Sequence, residues 1–357
     1  MNKRYLSIAA LLCAPALLAF QPRGTSVTFS VAEGANKTKT FTSSVTLSLD
    51  EMSMLMGGQP SPMTPSMELT TETTTTIEVS DEYLKMGAGA PTKLKRSYLS
   101  LAKADSKEME TEMMGQVTNA NSSTNSTSEL EGMSVIFAWD ADAEEFVASF
   151  PDDEGDVELL DGLTEDMDVR CLLPAGEVSE GDEWKIAPVN LSSLFSTGGD
   201  LKFVPEESDS DDPMDMGSDM GGADDWFNDD MEGEATATFE GTRKTEDGIE
   251  VGVIKLTFLL SNAVDLTEIT QEAMESSELP PGVEDISINS VDVEVELEGE
   301  ATLLWNLKEG YIYSFELKSE MLLNMDMNMG ISAQGMEIDI DQGMEFSGNM
   351  NNTVSVE

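Results

Sequence analysis

The chain has 357 residues, with 70 Asp and Glu against 19 Lys and Arg, no histidine, two cysteines and 24 methionines. A formal charge of −51 argues against nucleic acid or an anionic membrane as partner, because both are held by clustered Lys and Arg. Without histidine there is no Ser-His-Asp or Cys-His dyad, no HExxH zinc site and no imidazole base. With aromatics at 6%, any core must rest on Leu, Val, Ile and Met.

In chain order, residues 1–20 read as a signal peptide: Lys3 and Arg4 precede an apolar run over 6–20, too short for a comfortable transmembrane helix. Ala14-Pro15-Ala16 offers a cleavage pattern, whereas Leu12 before Cys13 is not the small residue that lipid anchoring wants. The expectation is export to periplasm or extracellular space, without an integral membrane segment. Loss of the leader leaves Cys171 alone, so no internal disulfide is expected, and its apolar neighbours predict a buried, inert side chain.

The N-terminal half, 25–204, is expected to hold strands at 25–32, 40–50, 66–80 and 94–101, rich in Thr, Val, Ser and Leu. Residues 57–67 read as a Gly/Pro/Ser loop, and the polar tract 119–128 looks unlike folded core. Glu129-Leu130-Glu131-Gly132 opens a hairpin through Trp139 and Phe146, and Glu296-Leu297-Glu298-Gly299 before Trp305 echoes it, which suggests a duplicated unit. Short helices are expected only at 191–195 and 266–277. Residues 205–234, acidic and without Lys or Arg, predict a disordered insertion.

The C-terminal half, 235–357, shows period-two alternation, the mark of half-buried strands. Val291, Val293, Val295 and Leu297 alternate with Asp292, Glu294, Glu296 and Glu298. From Tyr311 the odd positions Tyr313, Phe315, Met325, Met327 and Met329 are placed on one face of an element long enough to bend or break near Ser319. Turns are expected at 242–248, 308–310 and 330–335. The fold class is therefore mainly β: long antiparallel strands in curved sheets, as an open barrel or a sandwich, with few short helices.

The run Leu173-Pro174-Ala175-Gly176-Glu177-Val178-Ser179-Glu180-Gly181-Asp182-Glu183-Trp184 resembles an element, L-P-x-x-x-V-x-x-G-D-x-W, of an uncharacterised family of secreted bacterial β-rich proteins. Glu246-Asp247-Gly248 before the apolar run 251–260, and the closing meander, are similar to that family too. The resemblance implies a fold style and an exported location, and it carries no reaction and no catalytic residue.

For chemistry, the acids are too numerous to single out a glycosidase pair. Ser100-Leu101-Ala102-Lys103 fits S-x-x-K but lies in an expected strand without a K-T-G partner. Asp140-Ala141-Asp142-Ala143-Glu144 fails the EF-hand pattern, which would need Gly at Glu145 and Glu at Pro151. Asp211, Asp215 and Asp219 in the acidic tract are candidates for weak divalent-cation binding. Met52, Met54 and Met56, in a loop-like stretch with Met63 and Met67, are candidates for Cu(I) or Ag(I), ions that thioethers suit. The leading expectation is a non-enzymatic β scaffold without cofactor. It would bind an apolar small molecule or a protein partner, with Tyr313, Phe315, Met325, Met327 and Met329 as the lining.

Overall fold

The structure, a computed structural model, describes residues 24–61, 66–113, 115–152, 155–206, 231–275, 285–333 and 336–357. The expected signal peptide lies outside these residues, as does most of the acidic insertion with Asp211, Asp215 and Asp219. The ends of that insertion are strands, Phe203–Pro205 on one side and the segment from Glu232 on the other.

Fourteen strands form one large, unclosed, curved antiparallel sheet. In chain order they are β1 Asn36–Met56, β2 Gln59–Pro60, β3 Ser66–Met86, β4 Pro91–Met113, β5 Gln116–Ser128, β6 Ser134–Asp140 and β7 Glu145–Ser149. The rest are β8 Glu183–Ile186, β9 Phe203–Pro205, β10 Glu232–Lys244, β11 Glu250–Asp265, β12 Asp285–Asn306, β13 Tyr311–Ala333 and β14 Met336–Val356. The spatial order is β7-β6-β4-β3-β1-β14-β13-β12-β11-β10-β8, with β2 added beside β1 and the pair β5–β9 beside β4. Hairpins account for most neighbours. The pairing of β1 with β14, from Lys39↔Val356 to Met56↔Ile340, joins the two halves of the chain into one sheet. The end strands β7 and β8 are short, which limits the unpaired backbone offered to another chain.

Alternation decides the two faces. On β12, Val291, Val293, Val295 and Leu297 are buried while Asp292, Glu294, Glu296 and Glu298 are exposed. Over one part of the buried face lies an inner layer made of residues 24–33 and the irregular segment 157–203. Its apolar side chains Val27, Phe29, Leu172, Leu191 and Leu194 are buried against the sheet. It touches strands far apart in the sheet: Phe29 meets Tyr83 on β3 and Trp305 on β12, and Phe195 meets Phe258 on β11. Asn352 Nδ2 on β14 donates to the Leu194 carbonyl, and Trp305 Nε1 donates to that of Thr28. A layer bridging opposite sides of a curved sheet supplies the cover that one apolar sheet face requires.

Several expectations need correction. Residues 25–32 alternate buried Val27, Phe29 and Val31 with exposed neighbours, as a strand would, but join no ladder beyond the Thr25↔Val178 bridge. The polar tract 119–128 is strand β5, since the open edge of β4 from Lys103 to Met113 pairs its backbone groups residue for residue. The repeated tetrapeptide is no duplicated unit. Glu129–Gly132 forms a turn with Gly132 at φ +81°, whereas Glu296–Gly299 runs through the middle of β12. Gly330 is also in a strand, paired with Asp339, so the ladder of the last hairpin runs on to Ala333↔Met336, within the expected 330–335 turn.

Strand β13 does not break near Ser319. It runs continuously over 23 residues, roughly 75 Å at full extension, because β12 and β14 pair along nearly its whole length. Glycines stand where neighbouring backbones come closest to it. A Cβ at Gly299, opposite Ser319, would lie 2.5 Å from the Lys318 carbonyl oxygen. One at Gly348, opposite Met321, would lie 2.0 Å from that of Thr46. Backbones this close exclude any side chain.

Candidate functional site

Two places concentrate chemistry, and they differ in their access to solvent. The first is a charged cluster sealed beneath the inner layer. The alternation of β1, β3 and β4 that buries Phe41, Val79 and Leu94 also turns Lys39, Asp81, Tyr83 and Arg96 inward, each with no exposed surface. Lys39 Nζ lies 2.7 Å from Asp81 Oδ2 and 2.6 Å from Asp168 Oδ1. Arg96 forks onto Asp81 through Nε at 2.8 Å and Nη2 at 2.9 Å, and donates to the carbonyls of Thr164 and Glu165. The Tyr83 hydroxyl donates to Asp168 at 2.9 Å. Arg170 pairs with Glu165 and, at 2.9 Å, with Asp166, and its guanidinium stacks 5.3 Å above Phe29.

Each buried charge therefore meets an opposite charge, as burial requires. Burial opposes ionisation of Asp81, but Arg96 and Lys39 together overcome it and hold the carboxyl at about 2. For Glu165 burial prevails over Arg170, and its carboxyl is pushed up to about 7. Burial likewise pushes the Tyr83 hydroxyl well above the usual phenol range. These groups tie the 164–170 segment to β1, β3 and β4; Lys39, Asp81, Arg96 and Asp168 have no exposed surface, whereas the Arg170 and Asp166 side chains at the rim are 12% and 28% exposed.

The second place is open. Strand pairing puts Met52 opposite Met344, Met54 opposite Gln342 and Met56 opposite Ile340. The same three β14 residues face Met325, Met327 and Met329 on β13. Directly paired residues share a face, so three rows across three strands carry seven methionines in nine positions: three on β1, one on β14 and three on β13. Exposure is graded across this grid. Met325 and Met327 are each 4% exposed, Met52, Met54, Met344 and Met329 are half-buried, and Met56 is 37% exposed. Gln342 Nε2 donates to Met344 Sδ at 3.4 Å, and Ser61 Oγ, next to β2, donates to Met56 Sδ at 3.5 Å.

The structure thus unites residues that sequence reading kept in two groups. Met52, Met54 and Met56 are in strand β1 and not in a loop, because β14 offers ladder partners beyond the bulge at Leu49/Glu51. The other expected group is divided. Phe315 is buried core ten residues before Met325, roughly 34 Å along the strand. A bulge between Leu304/Trp305 leaves Tyr313 without a partner, and its hydroxyl reaches Asp247 at 3.4 Å. Tyr313 and Phe315 therefore belong to a different part of the sheet from Met325, Met327 and Met329. The alternation at 325–329 was legible in the sequence; the register of β14 against β1 was not.

Other candidates resolve into local structure. Asp140 Oδ1 accepts from the Asp142 and Ala143 amides, closing the β6–β7 turn. No three His, Cys, Asp or Glu side chains gather to hold a metal ion among the described residues. Cys171 is half-buried, and desolvation pushes its thiol up to about 12. In the Leu173–Trp184 run, Val178 bridges Thr25, Gly181 and Asp182 turn beside Phe239, and Trp184 enters β8. A cleft of about 400 Å³ opens on the acidic face, where exposed Leu259 and Leu322 lie among Glu296, Glu298 and Glu320.

No family model matches the chain, and no curated protein is significantly similar to it. Among solved structures, the chain is similar to the outer membrane protein OprG from Pseudomonas aeruginosa at 7% identity, over 90% of this chain and 97% of that one, with a TM-score of 0.24. No described helix is long and apolar enough to cross a membrane.

Proposed function

We propose that the chain is an exported, non-enzymatic β scaffold that binds a soft, apolar small molecule or protein segment on the methionine grid of β1, β14 and β13. The observation that carries this reading is the grid itself. Inward strand positions favour β-branched residues, and the neighbouring strand obeys: buried Val293, Val291 and Ile288 of β12 stand opposite Met325, Met327 and Met329. Seven flexible thioethers beside them make an adaptable, polarizable surface of the kind that accommodates varied partners. Absence of histidine and enclosure of the charged cluster support a non-enzymatic role. The signal-like leader supports export. The acidic outward residues of β12 are the reverse of a lipid-facing apolar band, which supports a position outside the bilayer.

Titration with the fluorescent apolar probe N-phenyl-1-naphthylamine tests the reading. Saturable binding is expected, weakened when Met52, Met54 and Met344 are all replaced by Gln. Non-saturable uptake, or binding indifferent to that triple replacement in a protein with unchanged circular dichroism, would refute it.

A further inference from the structure

Within the grid, one row differs from the other two. Met52, Met344 and Met325 stand directly opposite one another on three adjacent strands, whereas the parallel rows carry Gln342 or Ile340 at the centre. Adjacent strands are about 4.8 Å apart, so three thioether side chains of three rotatable bonds each reach a common point above the middle strand. Met344 has one sulfur neighbour on either side, and Met54 and Met327 lie on the diagonals, two residues along each outer strand.

We infer that Met52, Met344 and Met325 bind one soft monovalent cation, Cu(I) or Ag(I). This rests on the reading of the grid as the functional surface and names its ligand class. Thioether sulfur is a soft, uncharged donor that selects such ions over Ca²⁺, Mg²⁺ or Zn²⁺. The graded exposure provides an approach from the half-buried Met52 side toward Met325, which is 4% exposed and flanked on β12 by Val293. An ion seated there is dry on one side and reachable on the other. Packing alone would be served by Leu or Ile on all three strands, as it is by valine on β12. The thiol of the described chain, Cys171, lies in the 157–203 segment, away from the grid strands, and burial opposes its deprotonation.

Ag(I), which needs no reductant, is the probe, applied to the full chain carrying Cys13→Ser and Cys171→Ser and labelled with ¹³C-methyl methionine. The methyl resonances of Met52, Met344 and Met325 should shift together and saturate at one equivalent, with a dissociation constant below about 1 μM. Met344→Leu keeps volume and apolarity and should weaken binding at least about tenfold; Met52→Leu/Met325→Leu/Met344→Leu should abolish the saturable shift. Saturation unchanged in the triple variant, shifts confined to Met214, Met216 and Met220, or no binding below about 1 μM would each overturn the inference. If Ag(I) fails while naphthylamine binding still depends on the grid, the ligand class falls and the binding surface stands. If both fail, the surface falls as well.

Discussion

Replacing Asp81 by Asn should destabilise the protein by about 3–5 kcal/mol. The Asp81 carboxylate faces two cations, Lys39 at 2.7 Å and Arg96 at 2.8 and 2.9 Å through a bidentate fork. At a charge separation of about 4 Å and an effective dielectric of about 20, each attraction is worth about 4 kcal/mol. Removing the charge also removes its own desolvation cost of several kcal/mol, so the sum of about 8 falls to the stated net. Lys39 then keeps Asp168, while Arg96 is left with only the Thr164 and Glu165 carbonyls in a site where neither cation has exposed surface. Urea unfolding followed by tryptophan fluorescence measures the loss, since Trp305 is fully buried against the inner layer. The double variant Lys39→Met/Asp168→Asn removes one charge of each sign and should cost less than the sum of its single variants. A loss below about 1 kcal/mol for Asp81→Asn would refute the view that these charges hold the inner layer to the sheet.

Four further outcomes are expected. Glu165, held at about 7 when folded and near 4.3 when unfolded, binds its proton more tightly in the native state. Its contribution is therefore fully favourable below about pH 4.3 and is lost as pH rises toward about 7; Glu165→Gln should flatten that part of the stability–pH curve. Asp81 has the opposite sign: its contribution is present above about pH 3.9 and is lost as pH falls toward about 2. Gly310 has φ +65° and a Cβ there would sit 1.9 Å from Ser30 Oγ, so Gly310→Ala should lower stability by more than about 1 kcal/mol in thermal or urea unfolding. The Cys171 thiol, raised to about 12, should react with 5,5′-dithiobis(2-nitrobenzoate) at pH 8 at least about a hundredfold more slowly than in urea-unfolded protein; equal rates would contradict its burial.

Period-two alternation was sufficient to identify β12 to β14, their wet and dry faces and most of their turns, because a strand buried on one side must show that pattern. The short helix Thr267–Glu275 falls within the stretch 266–277 expected to be helical, ahead of Pro280 and Pro281. Alternation misread β5, since Asn, Ser and Thr in a low-complexity run give no apolar signal, and the open edge of β4 supplies what decides that strand. It misread the two Glu-Leu-Glu-Gly copies, because the same four residues turn or extend according to the backbone partners they meet.

The charged cluster was invisible for a related reason. Lys39, Asp81, Arg96 and Asp168 are spread over 130 positions of an acidic chain, and nothing local distinguishes them from solvated charges. Their inward phase comes from the alternation of three strands, and their burial comes from a covering segment that follows much later in the sequence. The methionines show the same division. Composition and spacing marked Met52–Met56 and Met325–Met329 as unusual, because side-chain chemistry is written locally. Only the pairing of β14 with both strands made them one surface, since strand register is a long-range property fixed by partners distant in the chain.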